Sequence, residues 1–285
     1  SDYMALFTNN SEALRIDSSG RLLIGTTSTV NSFTDTVQIF QNTATAAITV
    51  KRASDNAYAP YFNFIKSRGS TNSAATVLQS GDVMGYIRFS GTDGTDTAEA
   101  ATIQAHVDGT PGDNDMPGRL VFYTTADGSQ NATERLRIDS QGRLLLGTDT
   151  ARAVGGESNP VLHIEGSGNT SNSWVNITRF QSTTAGPNMQ FAKARSNTPG
   201  TYTLVQSGDT LGTISFLGAD GTDMANYAAT IKAEVDGTAA SNDMPGRLVF
   251  STTADGAGTV TERMRIDSNG HVTKPHQFHI EVSRT

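Results

Sequence analysis

The chain has 285 residues, a formal net charge of −7, 17% charged and 7% aromatic residues, and no cysteine. The acidic balance argues against a nucleic-acid groove, which needs clustered Lys and Arg, and against an anionic membrane surface. The missing cysteine excludes a disulfide framework and thiolate chemistry, and no apolar run approaches the ~18 residues that span a bilayer.

In chain order, the first signal is Glu12-Ala13-Leu14-Arg15-Ile16-Asp17-Ser18-Ser19-Gly20. It recurs from Glu134 to Gly142 and from Glu262 to Gly270, inside a longer block written twice, Gly81 to Gly142 and Gly208 to Gly270. A large unit repeated end to end builds length or surface rather than one private pocket. The expected organisation is 1–20 as the end of a preceding unit, 21–142 and 143–270 as two full units, and 271–285 as the start of a further C-terminal domain. On this reading the chain is a segment of a longer polypeptide.

Short, weaker strands are expected at Val37–Phe40, Ala47–Lys51 and Phe62–Lys66, with counterparts at Val161–Ile164, Val175–Phe180 and Met189–Lys193. Phe64, Lys66 and Arg68 map onto Phe191, Lys193 and Arg195. Stronger strands follow. Ile87 and Phe89 persist as Ile214 and Phe216, while Tyr86 and Arg88 become Thr213 and Ser215. Ile103, Ala105 and Val107 persist as Ile231, Ala233 and Val235, while Gln104 and His106 become Lys232 and Glu234. One face holds and the other drifts with period two, which is the mark of a half-buried strand rather than a helix. The drifting positions, His106 among them, are expected on the surface. Arg119–Thr125 and Arg247–Thr253 form further strands after Pro-Gly. Leu136–Ile138 and Leu144–Leu146 flank a tight hairpin at Asp139-Ser140-Gln141-Gly142, and Ile16 and Leu22 flank another.

The expected fold is all-β, with tandem antiparallel units of about eight to ten short strands. Apolar content is 36%, much of it Ala, so each unit has a thin core set against a large ordering entropy. Open sheet edges need cover. Both points favour burial against other copies of the chain over autonomous beads.

At the hairpin, Glu134-Arg135-Leu136-Arg137-Ile138-Asp139-Ser140-Gln141-Gly142-Arg143-Leu144-Leu145-Leu146-Gly147-Thr148 resembles the "ERMRIDSSGNVGIGT" element of bacteriophage tail fibres. Val37-Gln38-Ile39 and Val161-Leu162-His163-Ile164-Glu165 resemble the "LHV" strand that follows it there, and Val107-Asp108-Gly109 through Thr125 also resembles tail-fibre sequence. The resemblance covers most of both units. It implies a parallel homotrimer, an elongated β-rich shaft, a place in the virion tail, contacts with other tail or baseplate proteins, and attachment to a host surface glycan or protein receptor. The third hairpin departs from the motif at Gly270-His271-Val272-Thr273-Lys274-Pro275, where the array is expected to end. A tailspike depolymerase acting on host polysaccharide and a bacterial adhesin stalk are the alternative readings.

Candidate sites are few. Asp93 and Asp96, matched by Asp220 and Asp223, lie in Gly-rich loops where calcium would find oxygen ligands, with Asp108, Asp113 and Asp115 nearby. Asp and Gly serve equally as turn formers, Asp113 becomes Ser241 in the second copy, and the EF-hand spacing is missing. His276 and His279, with His271, could supply nitrogen ligands on a three-fold axis, though residues three apart on a strand face opposite sides. The default is therefore no metal, no cofactor and no catalytic residue. There is no G-x-S-x-G elbow, phosphate loop or H-E-x-x-H, and nothing selects a carboxylate pair for glycan cleavage, so no enzyme activity is expected. Arg137 with Asp139 reads as a structural polar pair. Trp174, Tyr58, Tyr61 and Phe62 offer sugar-stacking faces or, more simply, packing.

Overall fold

The computed structural model describes residues 3–29, 35–42, 45–156, 160–166 and 173–275. They fall into two compact units, Ser1–Asp149 with Val161–Gly166, and Thr150–Pro160 with Ser167–Thr285. The hairpin that straddles residue 142 stays with the first. His276 and His279 lie outside the described residues.

The first unit holds two sheets. One runs β1 (Met4–Thr8), β2 (Ser11–Ile16), β3 (Leu22–Ile24) and β4 (Val37–Ile39), in that order. The other contains β5 (Val83–Thr92), β6 (Thr97–Val107), β7 (Gly118–Thr125), β8 (Ala132–Ile138), β9 (Leu144–Leu146) and β10 (Leu162–Ile164), again with sequence neighbours side by side. The second unit repeats this meander as β11 (Thr210–Leu217), β12 (Tyr227–Val235), β13 (Gly246–Thr252), β14 (Thr261–Ile266) and β15 (Val272–Thr273). All neighbours are antiparallel except β3–β4 and β9–β10, which are parallel. Among the described residues there is no helix, and the Ala-rich stretch Ala98–Ala105 lies in β6, where its period-two pattern put it.

A β-bulge recurs at matched places. Opposite β7 the register steps from Phe122↔Leu136 to Tyr123↔Glu134, leaving Arg135 as the extra residue. Arg263 in β14 and Ala13 in β2 occupy the same position. The extra residue brings Glu134 and Arg137 to one face, although three residues on a regular strand would separate them.

The hairpin turns are held by their aspartates. Asp139 Oδ1 accepts from the backbone N–H groups of Gln141 (3.0 Å) and Arg143 (2.9 Å), while Arg143 Nε donates to Oδ2 at 2.6 Å. Asp17 does the same with Ser19 and Arg21. In the third turn Asp267 accepts from the N–H groups of Asn269 and His271, so β14–β15 still pairs where the motif breaks.

Two expectations change. Four segments read as strands, Ala47–Lys51, Phe62–Lys66, Val175–Phe180 and Met189–Lys193, pair with nothing among the described residues, so the second unit shows five strands there rather than eight to ten. His106 is buried, not on the surface, and so is its counterpart Glu234. On the edge strands Tyr86, Arg88 and Thr213 are exposed as expected, whereas on the inner strands this chain covers the drifting face with its own polar side chains.

Candidate interaction face

Reading each sheet across its register separates two faces. In the first unit Ile87, Ile103, Phe122, Leu136, Leu146 and Ile164 stand opposite one another from β5 to β10. The adjacent row is Gly85, Ala105, Leu120, Ile138, Leu144 and Leu162. Paired residues share a face, so this face is apolar from edge to edge. In the smaller sheet Leu6, Leu14, Ile24 and Ile39 form one row, and Met4, Ile16, Leu22 and Val37 the next. The second unit repeats the arrangement as Ile214, Ile231, Phe250 and Met264 beside Gly212, Ala233, Leu248 and Ile266.

The apolar face is the exposed one. Ile87, Phe89, Ile214 and Phe216 are 50%, 53%, 47% and 52% exposed. Of the fully covered residues, Val107 and Val235 (both 0%) close one end of the apolar face beyond Ala105 and Ala233, while Val121 (0%), Leu145 (1%) and Leu23 (1%) lie on the opposite face. There Arg137 stands between Val121 and Leu145 in the register row. Its Nε and Nη2 donate to Glu134 Oε1 (2.5 Å) and Oε2 (2.6 Å), and its Nη1 donates to the Asp149 carbonyl at 2.9 Å. Arg15 with Glu12 and the Thr27 carbonyl repeats this fork, and Arg265 with Glu262 repeats its ion pair. Such Arg stems cover apolar surface while their heads stay polar. Arg137 therefore pairs with Glu134, not with Asp139, which belongs to Arg143; the bulge at Arg135 decides between them. Hydrogen bonds from the Arg265 guanidinium hold the Glu262 carboxyl below its ordinary range, and Arg15 does so for Glu12.

Asp93, Asp220 and Asp108, among the aspartates considered for calcium, have other partners. Asp93 Oδ1 accepts from the N–H groups of Thr95 (2.8 Å) and Asp96 (2.9 Å), and Asp220 Oδ1 from those of Thr222 (2.8 Å) and Asp223 (3.0 Å). These backbone donors pull both carboxyls down. Asp108 binds Arg119 Nη1 at 2.8 Å and the Ser140 N–H at 2.9 Å, tying the loop after β6 to the hairpin turn. Asp236, Arg247 and Ser268 form the same link. Among the described residues no three His, Asp or Glu side chains are placed to hold a metal ion.

The sequence reading missed the difference at His106. Glu234 Oε2 accepts from Arg247 Nε at 2.8 Å, and Lys232 Nζ lies 2.5 Å from Oε1. In the first unit His106 Nε2 meets Gln104 Oε1 at 2.9 Å, while Nδ1 and Arg119 Nε are buried without a hydrogen-bond partner. The His106/Glu234 exchange is the sequence signal for this difference, and it marks a change of partners in a buried row rather than exposure. The aromatics Trp174, Tyr58, Tyr61 and Phe62 are exposed and do not fill a core in their own chain.

No protein-family profile and no curated protein sequence matches the chain. Its fold does have solved counterparts, and among them are two structures of one phage tail-fibre domain. The carboxy-terminal domain of the bacteriophage T5 L-shaped tail fibre superposes with a TM-score of 0.62 over 83% of this chain and 94% of that one, at 15% identity. The same domain with its intra-molecular chaperone domain gives 0.64 over 84% of this chain and 66% of that one, at 16% identity. At this identity the likeness is one of fold.

Proposed function

We propose that the chain is a structural shaft segment of a phage tail fibre, in which three parallel copies associate into an elongated homotrimer that supports attachment of the virion to its host. The observation that carries this reading is the reversed burial of the sheets. Each unit covers its polar face with its own Arg–Glu forks and leaves its apolar face half-exposed. Contiguous apolar surface on that scale marks an association site. Fully burying a side chain of this size contributes about 1.5–3 kcal/mol, so rows of half-exposed Ile, Leu and Phe drive association strongly. A three-fold arrangement lets every copy use the same face, and the fold likeness to tail-fibre domains points the same way. On this reading the segment is not an enzyme, and its place is the virion tail.

Light scattering on the purified chain should return the mass of three copies, and electron microscopy should show a rod. A stable single chain would defeat the proposal. Incubation with host polysaccharide should release no reducing ends; turnover would replace a shaft with a depolymerase.

A further inference from the structure

Two stretches of chain, 45–66 and 173–193, behave unlike the rest of the molecule. Both lie outside every strand, and no backbone–backbone hydrogen bond joins them to any described residue. Each precedes a sheet and is tied to it at one end. Arg68 forks onto Asp82 with Nε to Oδ2 at 2.6 Å and Nη2 to Oδ1 at 2.7 Å, while Lys66 Nζ lies 3.5 Å away. Arg195 forks onto Asp209 at 2.7 Å for both bonds, with Lys193 at 3.7 Å. A Cβ on Gly85 would come within 2.6 Å of the Phe64 Cβ, and one on Gly212 within 2.5 Å of the Phe191 Cβ. Phe64 and Phe191 therefore rest on the apolar faces, each in the gap that a glycine leaves. The arms are seated, and the same seat is built twice.

The side chains further along each arm follow a pattern. Ile48, Val50, Phe62 and Phe64 correspond to Val175, Ile177, Met189 and Phe191 at one constant spacing. The residues between them change freely: Thr49 to Asn176, Asn63 to Gln190, Ile65 to Ala192. Apolar positions held every second residue are the signature of a strand with one buried face. Yet Ile48 and Val175 are 62% and 63% exposed, and Phe64 and Phe191 58% and 56%. Among the described residues the pattern has nothing to pair with. The strands that follow the arms, β5 and β11, are open sheet edges, as are β10 and β15 across the same sheets and β1 and β4 in the smaller one, and open edges as long as β5 and β11 need a partner.

We propose that these arms, 45–66 and 173–193, pair as β-strands with neighbouring copies of the chain, so that subunits are interlocked through backbone hydrogen bonds as well as packed by their apolar faces. The occupant is a second copy because arm, glycine seat and following edge strand are written twice at one spacing, so parallel copies present every arm with the same edge. Cyclic exchange among three copies then leaves no arm unpaired. This inference rests on the three-chain reading above, and it adds which segments cross between chains.

Amide hydrogen exchange on the assembled chain, read beside its mass by light scattering, separates the two ideas. Expected are three chains per particle and strong protection at residues 47–51, 62–66, 175–180 and 189–193. Three chains with arms exchanging at unprotected rates would overturn the interlock and leave the trimer standing; single chains would overturn both. The pair Val50→Asp with Ile177→Asp gives a second reading. Neither residue sits in a sheet of its own chain, so circular dichroism should keep its β signal while the assembled fraction falls at least tenfold. An unchanged assembled fraction would also overturn the interlock.

Discussion

Gly142 and Gly147 sit five residues apart on one hairpin with nearly the same backbone, φ +76° and +77°, but in different surroundings. A Cβ on Gly142 would meet nothing within 4 Å, whereas one on Gly147 would lie 2.2 Å from the Glu165 carbonyl oxygen. Alanine at either position carries the left-handed strain of an L-residue, about 1–2 kcal/mol. At Gly147 it must also push back the strand that crosses parallel to β9. That strand is held by Leu144 N–H to the Val161 carbonyl (2.8 Å) and Glu165 N–H to the Leu146 carbonyl (3.0 Å). Each lost bond costs about 0.5–1.5 kcal/mol net. Gly142→Ala should therefore destabilise by about 1–2 kcal/mol, and Gly147→Ala by roughly 2–5 kcal/mol. Amide exchange over Leu162–Ile164 is the deciding assay: it should rise in Gly147→Ala and stay at the parent level in Gly142→Ala. The other hairpin gives an independent repeat, since a Cβ on Gly20 would meet nothing and one on Gly25 would lie 2.3 Å from the Phe40 carbonyl oxygen. Equal effects at the two glycines of a pair would refute the close parallel crossing and the reason given for Gly in the Gly-Thr ending of the motif.

Other consequences follow from the faces and ion pairs. Ile87→Asp, on the apolar face, should shift the assembly toward single chains by light scattering, whereas Arg88→Ser, which copies the residue of the second unit, should leave the mass unchanged. Asp82 and Asp209 are held far below the ordinary carboxylate range, chiefly by the Arg68 and Arg195 guanidinium groups and then by the Gln79 and Gln206 N–H groups. Because the folded pKa is depressed, this stabilisation is complete above the unfolded value of about 3.9 and is lost only as pH falls below it toward the folded value. Protease cleavage between Lys66 and Arg68 should therefore be unchanged from pH 7 to 5, but should rise at pH 7 in Asp82→Asn. Burial, and then the Arg119 charge, lower the pKa of His106, so the unfolded chain binds the proton more readily. The first unit should lose stability as pH drops through about 6.5, as read by amide exchange in β6 and β7, while β12 and β13, with Glu234, should not follow. His106→Glu should abolish that response and raise the midpoint of thermal unfolding by giving Arg119 Nε an acceptor.

Much of the sheet order was legible in the sequence, because a meander of hairpins needs only local signals: period-two alternation, Asp-x-x-Gly turns and Pro-Gly starts. Comparing the copies also locates the paired strands of both meanders and their persistent apolar face. Two things stayed hidden. The bulges at Arg135 and Arg263 insert one residue without changing composition, so the pairing of Arg137 with Glu134 had no signature in strict alternation. The direction of burial was hidden as well, because alternation says which residues share a face but not which molecule covers it. Ile87 and Phe89 share a face with Ile103, yet one chain leaves them half-exposed and buries Val121, Thr102 and His106 behind them. The same ambiguity explains why Ala47–Lys51 and Val175–Phe180 read as strands and find no partner among the described residues.

Persistence between copies therefore follows what a residue must fit, and the two faces are held to different standards. On the polar face each unit answers only to itself. His106 can replace Glu234 and Gln104 can replace Lys232, provided the row still closes over Val121 or Val249. On the apolar face and along the arms, a change in one copy would have to be met by whatever stands opposite. Ile87/Ile214, Phe89/Phe216 and Phe64/Phe191 have not moved, and Gly85/Gly212 keep the seats for the two phenylalanines. A surface that is exposed in one chain yet less free to vary than its buried opposite face is under constraint from outside that chain. The constraint falls on the face and arms proposed to join the copies, whatever the likeness to known fibres.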